Sequence, residues 1–144
     1  MKVYIVRHGQ TPSNLAGVYN VLEEDLNDNG IEQAQNLGEK IRDLDYDIIF
    51  CSPLKRTRHT AQIINHNNKE IIYDERLVER KHGKLSGMPW STVDREKHWN
   101  YYNKEKYCDE ESVPELFERV NGFLNDLKQQ KFKSVLVVAH SRSI

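Results

Sequence analysis

The sequence predicts an α/β fold of three layers, α/β/α, around a mostly parallel sheet, and three observations carry that prediction. Short β-branched runs alternate with helical patterns along the chain, the order in which βαβ units are built. The run Val135-Leu136-Val137-Val138 is apolar on both faces, as a parallel strand covered by helices on either side must be. Residues able to hold a phosphate (Arg7-His8, Arg56, Glu79 and His140) each fall just past a predicted strand, where open α/β sheets place their ligands.

Lys2–Val6 is the first strand, ended by the tight loop Arg7-His8-Gly9. Asn27 is the expected N-cap of a helix whose apolar stripe is Ile31, Ala34, Leu37, Ile41 and Leu44. Asp47–Cys51 reads as a buried strand. Ser52 then caps a second helix with Pro53 at its first position, and that helix carries Ala61, Ile63 and Ile64. Glu70–Tyr73 is a third strand, and residues 74–89 form a loop with Gly83 and Gly87. Ser112 and Glu115 form a capping box ahead of Leu116, Phe117, Val120, Phe123, Leu124 and Leu127. Ser134–Ala139 is the last strand. No internal repeat or low-complexity segment interrupts the series.

At 144 residues the chain suffices for one domain, 1–144, with a real core. With 21 Lys+Arg against 22 Asp+Glu and a net charge of -1, it has no basic footprint for nucleic acid. A mean hydropathy of -0.78 fits a soluble protein, and the apolar start Val3–Val6 is too short for a signal peptide or membrane span. Two cysteines, Cys51 and Cys108, are too few for a disulfide framework, so a cytoplasmic thiol protein is expected.

The chemistry lies at the strand ends. In Arg7-His8-Gly9-Gln10-Thr11 a neutral imidazole could attack phosphorus while Arg7 neutralises the anion, and Gly9 would let backbone amides approach a ligand. Taken singly, a strand-end histidine is as well explained by a structural hydrogen bond. Arg56 falls in the first turn of its helix, where free amides and the macrodipole favour phosphate. Arg58 points about 200° round the helix from it, so Arg56 is the better candidate. A cysteine-dependent phosphatase loop would need five residues between Cys51 and an arginine, and that position is Thr57. Glu79 could donate a proton to a leaving alkoxide if burial raises its pKa, or could simply pair with Arg80. His140 adds a second histidine at a second strand end. His59, His66, His82 and His98 lack zinc-ligand spacing, so no metal site is expected. The aromatics Trp90, Trp99, Tyr101, Tyr102 and Tyr107 could form a substrate-facing lid or plain packing surface.

Taken together, Arg7-His8-Gly9-Gln10-Thr11 with Asn14, Ser52-Pro53-Leu54-Lys55-Arg56-Thr57, Glu79-Arg80 and the strand ending in His140 resemble the histidine phosphatase superfamily. This family contains the cofactor-dependent phosphoglycerate mutases and many phosphatases. The likeness covers nearly the whole chain, in order. It implies a phosphoglycerate mutase-like fold and metal-independent, cofactor-free hydrolysis of a small phosphomonoester. It further implies that His8 is phosphorylated, that Arg7, Arg56 and His140 clamp phosphoryl oxygens, and that Glu79 donates the proton. Thr11 and Asn14 would line the phosphate end of the pocket, with Arg80 as a further substrate contact.

The mutase branch fits less well. It usually has Trp where this chain has Ser13, and Phe-Thr-Gly-Trp where this chain has Tyr19-Asn20-Val21-Leu22. Two other departures stand out. The family commonly has Gly after the second histidine, where Ser141-Arg142 stand here, and its fold continues with another helix and strand. A chain lacking them is expected to expose part of the last strand, to self-associate, and to bring the Ile144 carboxylate near His140. A catalytically impaired phospholigand-binding module is the alternative of a different class.

Overall fold

The computed structural model describes residues 1–103, 106 and 109–143. The expectations attached to Tyr107, Cys108 and Ile144 lie outside the described residues. In chain order the elements are β1 (Lys2–Arg7), α1 (Pro12–Ala16), α2 (Asp28–Lys40), β2 (Ile48–Cys51), α3 (Lys55–Ile64), β3 (Ile71–Tyr73), α4 (Arg95–His98), α5 (Val113–Lys128) and β4 (Ser134–Ala139). The four strands pair in the order β1-β4-β2-β3, all parallel.

Side-chain alternation divides the core between the two sheet faces. On one, Val6, Ile49, Cys51, Leu136 and Val138 pack with Ala61 and Ile64 of α3, Leu37 of α2 and the following Ile41 and Leu44. On the other, Ile48, Phe50, Val135, Val137 and Ala139 pack against Phe123 and Leu127 of α5. The three-layer arrangement follows. Each helix also has a local reason to start. Asn27 accepts from the Gly30 amide at 2.8 Å, and Ser112 with Glu115 closes the expected capping box on α5.

Three expectations need correction. The helix after β2 starts at Lys55 with Leu54 in the cap position, and Ser52 Oγ, in the loop ahead of it, meets His140 Nε2 at 2.9 Å and the Leu54 amide at 3.5 Å. Arg56 nonetheless remains in the first turn. The helix after Asn27 ends at Lys40, and Ile41 and Leu44 reach the core from the turn beyond it. The exposed apolar surface lies on β1 and not on β4. All six β4 residues are buried because β4 is interior to the sheet, while Val3 and Ile5 of edge strand β1 are 43% and 59% exposed. These two point to the α5 side, in register with Val135 and Val137, but α5 packs over β2 and β4. Residues 74–89 are anchored more firmly than a plain loop. Leu77 and Leu85, in short 3-10 turns, are fully buried.

Candidate active site

The parallel sheet brings its carboxyl ends to one edge. β1 and β4 are neighbours, so His8 and His140 emerge side by side, with ring centroids 5.0 Å apart. His8 Nδ1 lies 2.6 Å from the Gly9 carbonyl, which can only accept, so Nδ1 carries the proton and Nε2 keeps its lone pair. Burial pushes the His8 pKa down to about 4, with Arg56 and Arg7 adding to the effect against the Gly9 hydrogen bond. Burial foremost, and then Arg56, also holds His140 well below the usual histidine range. Both rings are neutral near pH 7. A neutral imidazole with one bare nitrogen is a nucleophile.

Two cations and one carboxyl group surround the pair. Arg7 ends β1. Arg56 is 2% exposed, and its Nη1 donates to the carbonyls of Val21 and Leu22 at 3.1 and 3.3 Å. Its Nε has no partner among the described residues, a donor left over in a buried place. Glu79 is buried beyond β3, and its Oε1 accepts from the Arg80 amide at 3.0 Å. Desolvation raises its pKa against the pull of that amide and of Arg56, Arg142 and Arg7. A carboxyl group that keeps its proton nearer neutrality is suited to general-acid work.

Arg7 and Glu79 open onto a cavity of about 260 Å³ whose wall also includes Asn14, Trp90, Trp99 and Arg142, while His8 and Arg56 line neighbouring cavities. Residues 3–144 match the family description "Histidine phosphatase superfamily (branch 1)". The chain belongs to that family. Phosphoserine phosphatase 1 of Hydrogenobacter thermophilus is 33% identical, over 98% of this chain and 71% of that protein. The phosphatase PhoE of Bacillus subtilis is 37% identical, over 99% and 72%. The crystal structure of the α-ribazole phosphatase from Shigella flexneri superposes with a TM-score of 0.85 at 28% identity, covering 97% of this chain and 74% of that one. The fold is phosphoglycerate mutase-like and the enzyme class is phosphatase.

In this histidine phosphatase the other sequence candidates take varied positions. Asn14 lines the cavity, whereas Thr11 stands behind it. The Thr11 hydroxyl is fully buried, caps α1 by accepting from the Asn14 amide, and accepts from Asn20 Nδ2 at 2.9 Å. Arg80 spends its guanidinium on the carbonyls of Glu111 and His98, both at 2.7 Å, beside Glu110 at 3.4 Å and over the Trp99 ring. It braces the wall. Gly9 serves packing: its amide donates to Thr60 Oγ1 at 3.2 Å, and a Cβ there would collide with the Gly30 carbonyl at the start of α2. Of the aromatics, Trp90 and Trp99 face the cavity, while Tyr101 and Tyr102 are exposed.

Several residues of the site carry no local signal in the sequence. Ser52 orients His140, and Tyr19, Asn20, His82, Arg95, Ser141 and Arg142 complete the wall. The irregular arginines in the segment after Glu79 and beside His140 were the available hint. His82, His98 and Glu110, scattered along the chain, bring one possible metal-ligating atom each within 4.8 Å of one another. Arg80 lies against Glu110, and Arg80 and Arg142 both depress His82 and His98, whose pKa values burial foremost lowers to about 3 and about 4. That positive field opposes a cation, and Glu110 faces both Arg80 at 3.4 Å and His98 Nδ1 at 3.3 Å.

Proposed function

We propose that this chain hydrolyses a small phosphomonoester through a phosphohistidine on His8. The observation that carries the proposal is the His8 tautomer, fixed by the 2.6 Å contact of Nδ1 with the Gly9 carbonyl beside a second neutral histidine. His8 Nε2 attacks phosphorus as the ester P–O bond breaks, and protonated Glu79 gives its proton to the departing oxygen. Water then attacks the phosphohistidine, Glu79 takes up its proton, and inorganic phosphate leaves with Nε2 free again. Arg7, Arg56 and His140 hold the phosphoryl oxygens in line while the group passes through a loose transition state that spreads its charge over them. Asn14 supports the phosphate end and Thr11 fixes the loop that carries it. No step calls for a metal ion or organic cofactor. No helix among the described residues is long and apolar enough to cross a membrane. The buried free thiol of Cys51 favours a reducing compartment, and we place the protein in the cytoplasm.

Leaving-group dependence tests this assignment. Glu79→Gln should slow alkyl phosphates by about 10²–10⁴-fold, the usual worth of a general acid. It should slow p-nitrophenyl phosphate much less, because that leaving group departs without a proton. Equal losses on both esters would make Glu79 electrostatic or structural only. EDTA should leave both rates unchanged.

A further inference from the structure

We infer that Ser52 is a positioning residue of the reaction: its hydroxyl donates to His140 Nε2 and so leaves the Nδ1 proton of His140 for a phosphoryl oxygen. That a phosphoryl group arrives there rests on the function proposed above. The direction of the hydrogen bond rests on geometry.

His8, His140 and Ser52 follow three adjacent strands, β1, β4 and β2. The His8 amide donates to the Ala139 carbonyl at 3.1 Å, and the Ser52 amide donates to the Val138 carbonyl at 3.0 Å. The chain is therefore tied on both sides just before His140. The Ser52 carbonyl accepts from Thr57 Oγ1 at 2.9 Å, which fixes the loop ahead of α3. Within this frame Ser52 is fully buried, His140 is 2% exposed, and Ser52 Oγ lies 2.9 Å from His140 Nε2.

A hydroxyl and a neutral imidazole can bond in either sense, and two observations choose between them. The Leu54 amide points at Ser52 Oγ from 3.5 Å, a long contact that favours a lone pair on that side and turns the hydroxyl proton toward His140. His140 Nδ1 is buried and has no partner among the described residues. With Nε2 engaged by Ser52, it is the ring atom left to meet the phosphoryl group. A bare lone pair there would repel an anion, whereas an N–H there is a preset donor. Free neutral histidine prefers the Nε2–H form, so a donor on Nε2 is what reverses the preference. His8 shows the opposite arrangement, with its Nδ1 proton on the Gly9 carbonyl and Nε2 bare. The two rings, with centroids 5.0 Å apart, thus offer one nucleophile and one donor, and a neighbouring group sets each tautomer.

Nitrogen-15 NMR of the full chain, with its histidine rings labelled, reads the tautomer directly, because a bare ring nitrogen resonates far downfield of a protonated one. His140→Gln assigns the His140 signals by their loss. In the wild-type chain His140 should show a bare Nε2 and a protonated Nδ1, and added inorganic phosphate should shift the Nδ1 signal. Ser52→Ala should move His140 toward the Nε2–H form. It should also slow hydrolysis of p-nitrophenyl phosphate by about 10–100-fold, the range seen when a metal-bound histidine loses the partner that fixes its tautomer. Ser52→Thr keeps the hydroxyl, and should hold the Nδ1–H form and recover most of the rate. An Nε2–H form in the wild-type chain would overturn the inference, even where a substituted chain fails to fold. So would a Ser52→Ala chain that loses rate but keeps the Nδ1–H form, the mark of a merely structural role. Turnover by the wild-type chain is read separately: its absence would refute the phosphatase proposal, whereas the tautomer and the phosphate shift decide the place of Ser52.

Discussion

At the scale of single residues, burial does most of the chemical work. His8, His140, His82 and His98 are all held below the usual histidine range, chiefly by desolvation. The sign of the consequence is fixed. An unfolded histidine takes its proton near pH 6.5, whereas His8 in the fold does so only at about 4. Between those values the unfolded chain binds more protons, so stability falls as pH drops through that window and is unaffected by His8 above it. Glu24, Asp25 and Asp74, whose pKa values are lowered in the fold, add losses only nearer pH 4, and Glu79, raised by burial, offsets part of the loss from the four histidines. Thermal melting from pH 7 to 5 should therefore show a steady decline in Tm. A flat profile would mean that these rings are solvated. The strand-end pattern made His8, Arg56, Glu79 and His140 legible from sequence alone, and the structure gathers them at one sheet edge. It could not show Ser52 as the partner of His140, because a serine before a proline is an equally good helix cap. Nor could it tell that Thr11 turns its hydroxyl toward Asn14 and Asn20.

At the scale of elements, the loop after β1 and the start of α2 are held in backbone contact. Gly9 and Gly30 face each other so closely that a Cβ on either would strike the other segment's backbone, at the Gly30 carbonyl or at Gln10. The Gln10 carbonyl accepts from the Asn27 amide at 3.0 Å, so the loop also ties down the cap residue of α2. Gly9→Ala must part the two segments or distort the loop that carries His8. Overpacking of this kind costs about 1–3 kcal/mol, and activity should fall further than stability because His8 moves with the loop. A Gly9→Ala enzyme with the wild-type Tm and rate would refute that coupling. The elements themselves were readable from sequence wherever apolar periodicity is strong, as in α2, α5 and β4. The short helix α4 and the 3-10 turns between Glu79 and Ser112 were not, since their form depends on long-range anchors such as Arg80 over Trp99 and Leu85 in the core.

At the scale of the whole molecule, strand order decides what each apolar residue contributes. Placing β4 between β1 and β2 buries it completely and sets His140 next to His8. The sequence shows which runs are strands, but the order in which parallel strands pair is a long-range choice that local pattern does not encode. Val137 and Ile5 are register partners on the same face, yet one is 1% and the other 59% exposed. Val137→Ala should cost about 1–3 kcal/mol, against less than about 0.5 kcal/mol for Ile5→Thr. Denaturant titration of the two variants checks the difference, and similar losses would mean that the α5-side face of β1 is covered after all. The central claim is that the fold exists to hold His8 as a phosphoryl acceptor. The direct measurement is rapid acid-free quenching of the enzyme mixed with a ³²P-labelled phosphomonoester, followed by recovery of the labelled peptide. The account predicts a base-stable, acid-labile label on the peptide containing His8, absent from His8→Ala. A label of that stability that persists in His8→Ala, or turnover that survives the substitution, would contradict it.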